Sequence, residues 1–289
     1  MRMDGQEESS NVEDVRGMGG GGGFGFGGRS VGIGTLVMAL VAGWIFGINP
    51  LTLLGLAGDV APQQQSVPEG KAPPDDDPQA RFVSQVLRST EVVWSDAFRA
   101  AGRSYQAPRL VLYRGSWPTA CGQGQAAMGP FYCPNDQKVY LDLGFFDVMR
   151  SRLGAPGEFA QAYVIAHEVG HHVQNQLGIM EKVDAARQRA SETQGNAISV
   201  RVELQADCFA GVWAKRSQQE QGWRLEPGDI ETALNAAAQI GDDTLQRKSR
   251  GMVVPETFTH GTSAQRVTWF RRGFESGSVD QCNTFDRPA

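Results

Sequence analysis

VIAHEVGHHVQ, the sequence of residues 164–174, contains three of the four histidines of this 289-residue chain. His167 and His171 are four residues apart, so a helix places both imidazoles on one face, one turn apart. Two histidines at this spacing can hold one Zn²⁺ ion. Glu168 is rotated by about 100° around the helix axis. It can therefore reach a water beside the metal without ligating the metal, which is where zinc hydrolases place their general base.

Two residues suggest the limits of the helix that carries this motif. Pro156 suits a first helical turn, and Gly178 suits the position after the last turn. Between them an apolar stripe recurs at spacings of three and four: Phe159, Tyr163, Ala166, Gly170, Val173 and Leu177. Leu177 also fills the position at which a third histidine would complete a longer zinc motif. A catalytic zinc needs a third protein ligand, so that ligand must come from elsewhere in the chain.

A second helix downstream offers the third ligand. Residues 202–207 lie in a stretch with apolar helical faces, and Glu203 and Asp207 share one face because they are four residues apart. Glu203 can ligate the metal. Asp207 can accept a hydrogen bond from the far nitrogen of a ligand histidine and so fix its tautomer. The alternative is a solvated acidic pair, but the apolar surroundings of this helix favour the ligand interpretation.

The order of these motifs resembles a known group of enzymes. An HExxH helix followed by a Glu-x-x-x-Asp helix is the arrangement of the gluzincins. The wider sequence resembles the putative neutral zinc metallopeptidase family, the bacterial YpfJ-like proteins. Eight segments carry the similarity: NVED at 11–14, GPFYCP at 129–134, YLD at 140–142, HEVGH at 167–171, ELQADCFAG at 203–211, IGDD at 240–243, FTHG at 258–261 and QR at 265–266. The resemblance implies a membrane-anchored zinc peptidase and no defined substrate.

His260 and Arg266 are candidate catalytic residues by a further resemblance. Membrane gluzincins carry a Thr-His-Pro segment with an arginine shortly after it, and residues 259–261 read Thr-His-Gly here. The comparison implies that the histidine and the arginine approach the substrate carbonyl, where they would stabilise the oxyanion of the tetrahedral intermediate. The alternative for His260 is a structural residue that precedes a helix capped by Thr262 or Ser263.

The first part of the chain differs in composition from the rest. Residues 1–29 are polar, acidic and then glycine-rich, so we expect them to be disordered. Residues 30–57 contain no charged side chain, and their most apolar part is just long enough for a transmembrane helix. Arg29 before this segment and Asp59 after it predict a cytoplasmic N-terminus and an extracytoplasmic catalytic domain. A cleaved signal peptide is the alternative.

The remainder is expected to form one globular domain. Residues 58–78 are rich in Pro, Gln and Asp and predict an extended linker, so the domain should cover residues 79–289. Its pattern predicts a first helix, strands at 109–113, 131–133 and 138–143, and then helices almost to the end. We therefore predict an α+β fold: a mainly helical zincin-like metallopeptidase domain with a small β-sheet, preceded by one transmembrane helix.

The four cysteines are candidates for disulfide bonds. They include no C-x-x-C pair, so neither a zinc ribbon nor a thioredoxin-type site is indicated. A local bond between Cys121 and Cys133 is the simple pairing, which leaves Cys208 with Cys282. Four cysteines allow three connectivities, and in a reducing compartment all four would be free thiols.

Together these patterns predict a membrane-anchored zinc-dependent metallopeptidase. Its cofactor would be Zn²⁺, held by His167, His171 and Glu203, and a Zn-activated water would hydrolyse peptide bonds with Glu168 as general base. The substrate would be a peptide or protein, and the single N-terminal span would bind the membrane. A net charge of −5 without a basic block argues against a nucleic-acid partner. The alternatives are a catalytically weak zinc-binding membrane scaffold, which would not need Glu168, and a zinc hydrolase of a non-peptide amide.

Overall fold

The computed structural model describes residues 1, 5–18, 70–125, 129–221 and 223–286. The expected transmembrane segment, residues 30–57, and the greater part of the expected linker lie outside these residues. Within the described part of the chain, no helix combines the length and the apolar character that crossing a membrane requires.

Six short strands in the described residues form two sheets. They are β1 (Val12–Asp14), β2 (Arg109–Tyr113), β3 (Ser116–Thr119), β4 (Gly122–Gln125), β5 (Phe131–Cys133) and β6 (Lys138–Asp142). The larger sheet has the order β1-β2-β6-β5, in which β1, β2 and β6 are parallel and β5 is antiparallel to β6. The smaller sheet is the hairpin of β3 and β4. The strands expected from the sequence are confirmed as β2, β5 and β6, whereas the hairpin and β1 were not expected.

β1 makes the N-terminal segment part of the folded domain. Val12 pairs with Leu110 of β2 and is buried. The Glu13 carboxylate forms ion pairs with cations on β2 and β6. The structure thus differs from the expected disorder of residues 1–29, because residues 5–18 are placed by sheet pairing and ion pairs that a composition argument does not detect.

This pairing also bears on the expected membrane topology. Two strands can share backbone hydrogen bonds only on the same side of a membrane. A single crossing between residues 18 and 70 would separate β1 from β2. The pairing therefore does not fit the expectation of a cytoplasmic N-terminus joined by one span to an extracytoplasmic catalytic domain.

Eight helices follow or flank the strands in the described residues. They are α1 (Pro78–Ala100), α2 (Gly144–Ser151), α3 (Glu158–Gln176), α4 (Ile179–Arg187), α5 (Glu192–Gln221), α6 (Asp229–Gln239), α7 (Asp242–Arg250) and α8 (Ser263–Ser276). Local sequence explains where several begin and end. The Asp77 carboxylate accepts from two backbone N–H groups at the start of α1. Thr262 and Gln265 form a capping box at the start of α8, and α3 ends just before Gly178, whose φ is +73°.

Glycines allow α3, α5 and α8 to touch backbone to backbone. A Cβ on Gly170 of α3 would lie 3.1 Å from the carbonyl oxygen of Ala206 in α5. A Cβ on Gly211 of α5 would lie 2.1 Å from the carbonyl oxygen of Phe270 in α8, and one on Gly273 would lie 1.9 Å from a carbonyl oxygen of α5. These close crossings bring the HExxH helix within side-chain reach of the acidic residues of α5.

We expect opposite effects from two Gly→Ala changes in α5. Gly211→Ala should lower the free energy of unfolding by about 1–3 kcal/mol, since its methyl group overlaps the α8 backbone. Gly195→Ala should raise it by up to about 1 kcal/mol, because alanine favours a helix interior and nothing lies near this position. Urea unfolding followed by circular dichroism measures both. Equal effects of the two changes would contradict the close packing of α5 against α8.

Two disulfides are closed in the structure. Cys121 pairs with Cys133, and Cys208 pairs with Cys282 across a sequence separation of 74 residues. This is the simple pairing named from the sequence. The second bond joins α5, one residue after Asp207, to the C-terminal 3₁₀ turn Val279–Cys282.

Candidate metal centre

Two ligand histidines from α3 and one carboxylate from α5 converge at the helix crossing. His167, His171 and Glu203 each offer a donor atom, and the three atoms lie within 4.8 Å of one another. The Nε2 of His167 is 3.2 Å from Glu203 Oε2, and the Nε2 of His171 is 3.6 Å from Glu203 Oε1. Donors about 2.0–2.1 Å from a tetrahedral zinc are about 3.3 Å apart. The spacing therefore suits one zinc ion with a fourth position left open.

The electrostatics of this group also suit a cation. Burial lowers the pKa of His167, but the carboxylates of Asp207 and Glu203 outweigh burial and raise that pKa to about 10. The pKa of His171 is raised in the same way, chiefly by Glu203. Burial raises the pKa of Glu203, but the two histidines outweigh it and hold the pKa well below its usual value. The two histidines and Glu203 thus form one buried, charge-coupled group, in which a bound cation could replace the imidazole protons.

Glu168 lies beside this group and not in it. It follows His167 on α3 and is only 8% exposed. Burial raises the pKa of its carboxyl group, while the neighbouring histidines lower it. A carboxylate with a raised pKa next to a metal site is a suitable proton acceptor near neutral pH. Glu168 is thus a buried carboxylate beside the metal group, and its role as general base stays a prediction.

Asp207 holds His167 from the side away from Glu203. Its Oδ1 is 2.9 Å from the Nδ1 of His167, and its side chain is fully buried. A carboxylate can only accept, so Nδ1 donates to Asp207, and Nε2 is the nitrogen that faces Glu203, where a bound metal would replace its proton. The structure thus gives Asp207 the orienting position that its spacing from Glu203 predicted.

The structure corrects the position expected for Arg266. Its guanidinium is buried: it is 2% exposed and donates two hydrogen bonds to the Asp207 carboxylate, at 2.8 Å and 2.9 Å. Tyr163 donates a third hydrogen bond to Asp207, at 2.5 Å. Burial raises the pKa of Asp207, but Arg266 and His167 outweigh it and lower the pKa to about 2. Arg266 is therefore a positioning residue behind His167, and an oxyanion contact is not available to it.

His260 lies within electrostatic reach of Glu203, and Asp242 holds it in place. The Asp242 Oδ2 accepts from the backbone N–H groups of Thr259, His260 and Gly261, at 2.7, 2.6 and 3.0 Å. Its Oδ1 is 3.2 Å from the His260 Nδ1. Burial lowers the pKa of His260, and the Asp242 hydrogen bond and the charge of Glu203 raise it above its usual value. Its Nε2 makes no hydrogen bond within the described part of the chain, and the imidazole is partly exposed.

The fourth histidine has a structural environment. His172 Nε2 is 2.6 Å from the carbonyl oxygen of Gln106, so it donates, and Nδ1 accepts from the Tyr132 hydroxyl at 3.1 Å. Burial lowers the pKa of His172. This side chain packs between α3 and the sheet and takes no part in the metal group.

Three buried residues of the site were not singled out as functional from the sequence. Tyr163 was seen only as part of an apolar stripe, and Asp242 only as part of a matching segment. Gln174, whose Oε1 is 2.9 Å from the Nδ1 of His171, was not considered. The sequence could have indicated the contact of Gln174 with His171, because residues three apart on a helix are neighbours and a ligand histidine needs a partner for its second nitrogen.

Comparisons with known proteins agree with this geometry. A sequence profile for the family described as "Putative neutral zinc metallopeptidase" matches residues 1–285. The chain is 53% identical over 293 residues to "Uncharacterized protein YpfJ" of Escherichia coli (strain K12), and 99% of each chain is covered. It is 43% identical over 206 residues to "Uncharacterized protein Mb2605" of Mycobacterium bovis, with 68% of this chain and 67% of the relative covered. No solved structure matches the chain.

Proposed function

The chain belongs to the putative neutral zinc metallopeptidase family, and on that basis we propose that it hydrolyses peptide bonds in peptides or proteins. The single observation that carries the proposal is the juxtaposition of a three-donor group with an adjacent carboxylate that is not a donor. The donors are His167, His171 and Glu203. A purely structural zinc site uses four protein ligands and has no need of Glu168.

The residues divide the chemistry between them. Zinc, when bound, polarises the scissile carbonyl and lowers the pKa of the attacking water. Glu168 accepts the proton of that water and then delivers it to the leaving amine. Asp207 keeps the His167 tautomer whose Nε2 lone pair faces the centre. The buried position of Glu168 keeps its proton affinity high enough for both transfers.

His260 supplies the group that stabilises the transition state. Asp242 lies on its Nδ1 side and raises its pKa, so the free Nε2–H can donate to an oxyanion. A donor that is already in place when charge develops on the substrate oxygen stabilises the transition state more than the ground state. The loop that carries His260 is fixed by three backbone hydrogen bonds to Asp242, which makes this donor rigid.

We expect His260→Ala to lower kcat about 10²–10³-fold, the usual loss for one oxyanion donor, with the zinc dissociation constant unchanged. His260→Gln keeps a hydrogen-bond donor and should recover part of the rate. Steady-state hydrolysis of one peptide and a zinc competition titration measure the two quantities. A His260→Ala variant with wild-type kcat would remove this residue from the mechanism.

Metal removal tests the proposed function directly. The purified full chain, which includes β1, is treated with a chelator, dialysed and assayed against a peptide mixture by mass spectrometry. We expect no cleavage by the chelated chain and full recovery after one equivalent of zinc. A zinc-loaded chain that cleaves no peptide would favour the scaffold alternative. Cleavage of non-peptide amides alone would favour the other alternative.

A further inference from the structure

A chain of buried amides leads away from the ligand His171. Gln174 is fully buried, and its Oε1 lies 2.9 Å from the Nδ1 of His171. The Nε2 of Gln174 donates to the carbonyl oxygen of Val202 at 2.7 Å and to the Oε1 of Gln205 at 3.0 Å. The Nε2 of Gln205 in turn donates to the carbonyl oxygen of Cys282 at 2.9 Å. This amide relay, Gln174 with Gln205, joins the metal group to a disulfide-bonded residue.

Two backbone carbonyls fix the direction of the amide relay. A carbonyl oxygen can only accept, so Val202 and Cys282 each require the NH₂ end of a glutamine. The oxygen ends of both glutamines must then point the other way. The Oε1 of Gln174 faces His171, so Nδ1 of that imidazole must be the protonated nitrogen. Its Nε2, which faces Glu203, is then the nitrogen that a metal can bind.

We propose that the amide relay is the positioning device of His171, as Asp207 is of His167. This inference rests on the proposed function, because it assigns a tautomer to a metal ligand. The two devices differ in charge. His167 is held by a buried carboxylate, whereas His171 is held by a neutral amide that adds no further negative charge to the centre. Gln174 contacts no substrate, so its role is to orient the ring and not to react.

The far end of the amide relay is anchored by covalent structure. Cys282 is fully buried and is bonded to Cys208 of α5. Gln205 lies on the same helix, three residues before Cys208. The disulfide therefore keeps the Cys282 carbonyl within reach of Gln205, and the orientation of His171 depends on groups that lie outside the metal group.

Three Gln→Met changes, which conserve size and remove the amide, test the amide relay. The zinc dissociation constant is measured on the full chain by competition with a chromophoric chelator, and the melting temperature of the chelated chain is measured beside it. Gln174→Met should raise the dissociation constant about 10–100-fold, and Gln205→Met should raise it less. Gln218→Met is the control. Gln218 lies on α5, and its amide donates to the Ala214 carbonyl of its own helix, so the dissociation constant of this variant should match the wild type.

The possible results distinguish a failure of the amide-relay proposal from a failure of the proposed function. A Gln174→Met dissociation constant within twofold of the wild type would overturn the relay and leave the proposed function intact. A wild-type chain that binds no zinc would overturn both. Gln205→Met covers the case in which Gln174→Met does not fold, because Gln205 does not contact His171 and reaches it only through Gln174. Its zinc dissociation constant should be more than twice that of the wild type, and a value within twofold would count against the relay.

A second inference rests on Met1 and residues 5–18 and is independent of the proposed function. These residues contact several elements of the domain. Besides the pairing of β1 with β2, Ser9 donates to Glu91 of α1 at 2.6 Å, and Arg16 forms an ion pair with Asp77 at 2.8 Å. The Met1 ammonium group forms an ion pair with Asp229 at 2.8 Å. The contacts reach the sheet, α1 and the start of α6.

We infer that residues 5–18 and residues 70–286 lie in one compartment, on the same side of any membrane that the chain binds. The apolar segment at 30–57 is joined at both ends to this one domain. An odd number of crossings between its ends would break the pairing of β1 with β2 and leave the edge of β2 without its partner. If residues 30–57 enter a membrane, the chain therefore enters and leaves that membrane on the same side.

Accessibility of two engineered cysteines tests this topology. Glu7 and Arg99 have similarly exposed side chains, 76% and 75%, and lie in the N-terminal segment and in α1. The full chain carrying Glu7→Cys or Arg99→Cys is expressed in bacteria, and spheroplasts are treated with a membrane-impermeant maleimide. We expect equal labelling of the two sites, either both before or both only after detergent. Labelling of one site before detergent and of the other only afterwards would overturn the inference.

Discussion

Glu168→Gln is expected to lower kcat by about 10²–10⁴-fold, the usual contribution of a general base, while the zinc dissociation constant stays near that of the wild type. The change keeps the size of the side chain and removes its ability to take a proton. Glu168 is adjacent to the metal group but is not one of its donors. Its loss should therefore separate hydrolysis from zinc binding. Peptide hydrolysis and zinc titration on the same preparation measure both quantities.

The matched control for this variant lies on the same helix. Glu158 is the first residue of α3 and is exposed, so Glu158→Gln should leave both kcat and zinc binding unchanged. Wild-type kcat in Glu168→Gln would contradict the assignment of the general base. A parallel loss of zinc would instead place Glu168 among the ligands.

Arg266→Met is expected to lower the free energy of unfolding by about 3–5 kcal/mol, because it leaves the buried Asp207 carboxylate without its cation. Arg266 donates two hydrogen bonds to Asp207, and both side chains are almost fully buried. Zinc affinity should fall as well, since Asp207 orients His167. Urea unfolding of the chelated chain measures the first effect without interference from the metal.

A double change shows whether the loss comes from this pair. In Arg266→Met/Asp207→Asn the unpaired charge is gone, so the free energy of unfolding should be higher than in Arg266→Met alone.

The contribution of the Asp207 carboxylate to the stability of the wild-type chain also depends on pH. The pKa of Asp207 falls from 3.8 to about 2 on folding, so its stabilisation is complete above the unfolded pKa and is lost as the pH falls through about 2. If Arg266→Met lowered the free energy of unfolding by less than about 1 kcal/mol, the ion pair of Arg266 with Asp207 would not be a major source of stability.

The ligand set could be predicted from the sequence because helix geometry fixes it locally. Four residues make about one turn, so the spacing of His167 from His171 determines which side chains share a face. The same holds for Glu203 and Asp207. Which face of α5 meets α3 is a matter of tertiary packing. It depends on Gly170, where a side chain would meet the backbone of α5.

The position of Arg266 could not be predicted in the same way. The resemblance to other gluzincins placed it near the substrate, because a sequence comparison aligns residue types and does not show burial. Its true contact depends on how closely α8 approaches α5, which is set by Gly211 and Gly273. Such an approach leaves a guanidinium no route to solvent, and a buried cation needs a carboxylate partner. Asp207 meets that need.

β1 was missed for a different reason. A three-residue strand has too few positions to show an alternating pattern, and polar residues precede it while arginine and glycine follow within three positions. Its stability comes from β2, which lies almost a hundred residues later, and from the cations that pair with Glu13. Pairing over such a distance leaves no local signal in the sequence.

The most direct measurement of the central claim is a crystal structure of the zinc-loaded chain with anomalous data collected at the zinc edge. We predict one strong peak about 2.0–2.2 Å from the Nε2 of His167, the Nε2 of His171 and a carboxylate oxygen of Glu203. A chain loaded with stoichiometric zinc whose peak lies away from these three atoms would contradict the account.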